Sequence, residues 1–138
     1  MRAADVALLI LRLSLAAVMW PHGAQKALGL FGGPGIAGAV AGMGSFAHVP
    51  PAVAYLVIAV EFLGPIALVL GILTRLAALG IAIDMAVAAV LVHAHNGFFL
   101  NFTGKQAGEG VEFIIPLVGI GLALTIAGAG RIAILPKT

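Results

Sequence analysis

Four windows of this chain, 5–28, 51–73, 75–95 and 111–128, are apolar for about twenty residues each, the length an α-helix needs to cross a bilayer. Hydrocarbon offers no water to the backbone N–H and C=O groups, so each window is read as a helix that satisfies them internally. The rest of the chain agrees, with 62% hydrophobic residues, 9% charged residues and a mean hydropathy of +1.20. The expected fold is an all-α membrane protein of a single domain over 1–138, a four-transmembrane-helix bundle.

The connections complete this expectation. The stretch L-F-G-G-P-G-I-A-G-A-V-A-G-M-G-S-F-A-H-V-P between the first two spans carries no Asp, Glu, Lys or Arg and is too apolar for an ordinary aqueous loop. It predicts a short interfacial or re-entrant helix near 36–43. Four spans put both termini on one side. Arg2, Arg75, Arg131 and Lys137 fall on that side and only Lys105 and Lys26 near the other, so the positive-inside rule predicts cytoplasmic termini and an inner-membrane location. Arg12 interrupts the first apolar window, which argues against a cleaved signal peptide and for a retained span.

Composition also excludes chemistry. The chain has no cysteine, which removes disulfides, thiol catalysis, Cys-ligated zinc and Cys-ligated iron–sulfur clusters. No basic run could follow a phosphate backbone, so nucleic acid is not an expected partner. Nineteen glycines predict closely packed helices and make homo-oligomerisation or assembly with another subunit an expectation.

Arg12, Lys26, Glu61 and Asp84 fall inside the spans, where insertion scales assign each central charge about 2.5 to 3.5 kcal/mol. Two are cations and two anions, and pairing within the bundle offsets much of that cost. Counting about 1.5 Å per residue places Arg12 and Asp84 at similar depth, with Glu61 near the midplane, so the sequence predicts Arg12 paired with Asp84 or Glu61. A helical wheel sets Arg12, Met19, His22 and Lys26 on one face of the first helix. The third helix places Asp84 and His95 on a common face, with His93 pointing elsewhere. A polar pocket near the outer end is therefore expected from His22, Lys26 and His95, with Glu109 and Glu112 at the start of the fourth helix. Proline adds a regularity, because a helical proline frees the carbonyl four residues earlier. Pro65 frees that of Glu61, Pro116 that of Glu112 and Pro21 that of Ala17. The candidate catalytic residues are Glu61 and Glu112; the candidate binding residues are His22, Lys26, Arg12, Asp84 and His95. No metal site is expected.

An arginine in the first span followed by H-G-A-Q-K (22–26), then E-F-L-G-P-I-A-L-V-L-G-I-L-T-R (61–75), N-G-F-F (96–99) and G-V-E-F (110–113), resembles the DoxX family of small four-helix membrane proteins. Pro65 departs from the family pattern, which commonly has another small or apolar residue there. The resemblance implies a membrane subunit or partner in oxidoreductase systems, some relatives being linked to thiosulfate:quinone oxidoreduction. The leading expectation is an integral membrane component of an electron-transfer system that binds a quinone-like molecule, such as a bound quinone, in the bundle, with Lys26 or His22 bonding a carbonyl and Glu61 or Glu112 handling protons. The alternatives are a non-catalytic anchor or assembly subunit for a soluble oxidoreductase, a small transporter or proton pathway through the glutamates and Asp84, and haem or copper held by His22 and His95 near Met19.

Overall fold

In a computed structural model, residues 2–136 are described. They form five α-helices: α1 (Ala3–Leu28), α2 (Gly35–Ala47), α3 (Pro51–Leu70), α4 (Thr74–Ala88) and α5 (Ile114–Ala127). Helices α1, α3, α4 and α5 build an up-and-down bundle in which α1 packs on α3 and α4 on α5, while α2 lies against α1 and α3. Four stretches are long and apolar enough to cross a membrane by length and composition, namely Ala3–Leu28, Leu30–Ala47, Pro51–Leu70 and Thr74–Asn96, with Ile114–Ala127 shorter. Leu30–Ala47 is not one helix, since the backbone breaks between Phe31 and Pro34 and leaves thirteen helical residues. That is about 20 Å of helix, short of a hydrocarbon core about 30 Å thick.

Local chemistry sets the ends. Asp5, at the third position of α1, accepts the Arg2 amide at 3.1 Å and favours the positive end of the helix dipole. Gly71 ends α3 in the left-handed region at φ 66°, with its amide on Leu68 O, and a side chain there would collide with Ala133 and the Arg12 guanidinium. Helix α3 is thus shorter than the 51–73 window. The expected fourth span also shrinks. Its first residues are not helical, because Gly110, Val111 and Glu112 donate backbone hydrogen bonds to Phe99, Gly97 and Phe98 in the long loop after α4. Pro116 consequently sits in the first turn of α5, where its missing N–H leaves no helical bond broken, and the expected freeing of the Glu112 carbonyl does not occur.

The first and last described residues lie on one face of the bundle, called here the terminal face; the opposite end is the loop face. The segment 128–136 binds the terminal face together: Ile134 and Leu135 amides donate to Leu70 and Gly71 carbonyls, and the Arg131 amide donates to Asp5 Oδ1 at 3.1 Å. Arg75 donates to the Thr125 and Ile126 carbonyls that α5 leaves open at its C-terminus. Lys137, expected on the same face, lies outside the described residues.

Arg12 corrects the sequence expectation. It is fully buried, yet neither Asp84 nor Glu61 is its partner; it donates to Leu68 O at 3.0 Å and to Ile132 O. Glu61 lies seven residues, about 10 Å, before Leu68 on α3, beyond an arginine's reach in this register. Carbonyls left open at the end of α3 and in the tail take the place of an acidic partner. Above Arg12, Leu15, Met19, Leu68, Ile81, Leu117 and Leu124 close into an apolar core. The bundle's outside is also apolar, with Ile10, Leu56, Leu63, Leu76 and Ile126 exposed, as a lipid-facing surface requires.

Candidate functional site

On the loop-face side of that core the four helices part around a cavity of about 410 Å³. Its polar lining consists of His22, Lys26, Glu61, Asp84, His93 and Glu109, and Met43 and Ala47 of α2 complete one wall. The charged centre is Lys26 Nζ on Glu61 Oε2. Side chains on a helix lean toward its N-terminus, so Lys26 reaches down one turn to the level of Gly23, which faces Glu61. Glu61 sits midway along α3 and is almost completely buried. Asp84 on α4 faces Lys26 and meets the Glu61 carboxyl within hydrogen-bonding reach, and its Oδ2 is buried with no N–H donor on it.

A glycine makes this register possible. A Cβ at Gly23 would overlap the carbonyl carbon and oxygen of Glu61 and the amide of Phe62. That carbonyl is the one Pro65 releases from the helix ladder. Two backbones therefore meet at the point where one of them has a free acceptor, and a Cα–H of Gly23 points at it. The sequence left this acceptor open for a ligand; in the fold the neighbouring helix covers it.

The sequence-predicted site residues divide into two groups. His22, Lys26, Glu61 and Asp84 converge on the cavity. Arg12 stands below the apolar core, His95 is exposed outside the cavity, and Glu112 lies in the loop before α5 without reaching the lining. His93 takes the place expected of His95. The helix wheel misplaced it because α4 ends in a π-turn, Ala89–His93, in which one extra residue per turn rotates every later side chain. Nδ1 of His93 lies 2.9 Å from the Glu109 carbonyl oxygen, which can only accept, so Nδ1 carries a proton, and in the neutral ring Nε2 is left as an acceptor. The ring packs edge-on against Phe113 at 5.2 Å. Nothing in the sequence marks the π-turn, so only the structure could find His93. Glu109 is held at the cavity mouth by its carbonyl bonds to His93 and Asn96 and by the Asn101 amide on its Oε2. Among the described residues no three His, Asp or Glu side chains converge as a metal would require.

Chemically, the centre offers one ammonium donor, two carboxyls and an imidazole acceptor inside apolar walls. Such a set can bond a polar headgroup and exchange a proton with it. A helical bundle with an apolar exterior and a charged cavity at mid-depth defines a multi-pass integral membrane protein in contact with the lipid bilayer. The DoxX family model matches residues 7–94, which is most of the chain and includes Lys26, Glu61 and Asp84, and the protein belongs to the DoxX family. No curated protein and no solved structure matches the chain.

Proposed function

We propose that this protein is the membrane component of an electron-transfer system and holds the headgroup of a quinone in the cavity among α1, α3, α4 and α5. The observation that carries the reading is the buried Lys26–Glu61 pair with Asp84 beside it, one oxygen of which has no N–H donor on it inside a cavity of about 410 Å³. An unpaired buried polar atom costs about 1 to 3 kcal/mol, and a ligand donor would recover that cost. The volume falls within the usual range for small-molecule pockets.

In this reading Lys26 or His22 donates to a quinone carbonyl, where negative charge develops on reduction, and Glu61 and Asp84 exchange the protons. Quinone reduction consumes one proton for each electron, and a partner oxidoreductase supplies the electrons. Arg2, Arg75 and Arg131 on the terminal face support cytoplasmic termini in an inner membrane, with the cavity mouth toward the opposite side. Titrating the purified, membrane-embedded protein with a short-chain benzoquinone tests the proposal. Saturable binding that Glu61→Gln weakens by about tenfold, the equivalent of about 1.4 kcal/mol, is the expected result. Unsaturable partitioning, identical in the variant, would contradict it.

The anchor reading has its own supporting observation, since Phe98, Phe99 and Phe102 are exposed together on the loop face. If they dock a soluble oxidoreductase, replacing all three by serine releases that enzyme while leaving quinone titration unchanged.

A further inference from the structure

A second concavity, of about 570 Å³, runs along the outside of the bundle between α3 and α4. Leu56, Leu63, Leu76 and Ile83 flank it and are well exposed, so it opens to the lipid. Every lining residue is apolar or glycine except Asp84. Val57, Asp84 and Val87 belong to the lining of this groove and also to that of the central cavity. The wall between bilayer and cavity is therefore one side chain thick, two valines and a carboxyl whose buried Oδ2 has no N–H donor on it. On the other flank a groove of about 560 Å³ also lies between α1 and α3, but it shares no lining residue with the central cavity, and the two helices touch backbone to backbone at Gly23.

We propose that the α3–α4 groove is the lateral entry path by which a lipid-soluble ligand passes from the bilayer to the charged cavity, and that it holds the ligand's hydrocarbon chain once the headgroup is inside. Val57 and Val87 form the gate, and Asp84 is the first polar group the headgroup meets. This rests on the quinone reading of the cavity and names what that reading leaves open, the route and the seat of the tail. The physical argument is one of continuity. A chain lying in the groove displaces only lipid, whereas a long hydrocarbon tail entering from the loop face would have to cross water. An acid lining a lipid-facing groove is costly in a helix that meets only acyl chains, and it is accounted for where a polar headgroup must pass.

Gly80 allows a test away from the headgroup. It lines the groove but not the cavity, and a Cβ there would meet only Val60 methyl carbons at 3.4 and 3.5 Å, an ordinary contact. Gly80→Leu therefore narrows the groove from a position outside the cavity lining, one helical turn from Asp84. Ile83→Trp, on an exposed groove residue, does the same and guards against a folding defect in the first variant. Both are reconstituted in vesicles, and the association rates of a long-chain isoprenoid quinone and a short-chain quinone with the same headgroup are compared with wild type. Each variant is expected to slow the long-chain quinone by about tenfold and leave the short-chain one within about twofold. Unchanged rates for both quinones, or equal slowing of both, would overturn the entry path while the cavity reading stands. Binding of neither quinone by wild type would overturn both.

Discussion

Gly23→Ala is expected to prevent the protein from accumulating in a folded state, although it adds a single methyl group to a good helix position. The added carbon would occupy the space of the Glu61 carbonyl and the Phe62 amide, and these are backbone atoms that no rotamer change can move. α1 must then lift from α3 at mid-depth. Overpacking a close contact costs about 1 to 3 kcal/mol and more where backbone must shift, which is a large share of a typical total stability. The same displacement withdraws Lys26 from Glu61 and leaves a buried carboxylate without its cation. Yield in mild detergent and the thermal unfolding midpoint measure the effect. Gly119→Ala in α5 is the control, because nothing lies within 4 Å of its added carbon, and it should match wild type or exceed it slightly. Equal stability of the two variants would show that α1 and α3 are not in backbone contact at Gly23.

The second large effect concerns the ion pair. Lys26→Met keeps the length and apolar stem of the side chain but strands Glu61 beside Asp84, a buried and a half-buried carboxyl with no cation between them. Removing one partner of a buried pair costs about 3 to 5 kcal/mol, and the low end applies because Lys26 retains 27% exposure toward the cavity. The double variant Lys26→Met, Glu61→Gln removes both charges and should recover most of the lost thermal stability. It should not recover quinone binding, since the donor and a proton-exchanging carboxyl are both gone. Recovery of stability without binding separates a site from a structural pair. A single variant as stable as wild type would show that Glu61 does not depend on Lys26.

Much of this architecture was legible before folding because lipid imposes simple rules on a chain. The apolar windows marked the bundle helices, and the uncharged glycine-rich connection marked α2, which runs Gly35–Ala47 rather than 36–43. The wheel of α1 placed Arg12, Met19, His22 and Lys26 on one face. What the wheel could not carry was the register between helices. Depth counted from helix ends put Arg12 near the acids, but the backbone contact of Gly23 with Glu61 sets α1 against α3 so that Lys26 meets Glu61 and Arg12 meets the end of α3. His93 and Glu112 were misread for a different reason. Both lie where regular helix gives way, in the π-turn closing α4 and in the loop that pairs with 97–99, and a constant 100° per residue fails at such places. Arg12 found backbone carbonyls because a helix end and a tail, distant in sequence, come together there. No local pattern announces that meeting.

The most direct test of the account is to ask what the cavity holds when the protein leaves its membrane. Wild type and the Lys26→Met, Glu61→Gln variant are extracted in mild detergent, purified to constant protein-to-lipid ratio and analysed by mass spectrometry of the organic extract. The account predicts a quinone retained by wild type at about one per chain and lost from the variant, as a single occupied site requires. A wild-type preparation free of quinone, or one whose quinone content the double variant leaves unchanged, would contradict it.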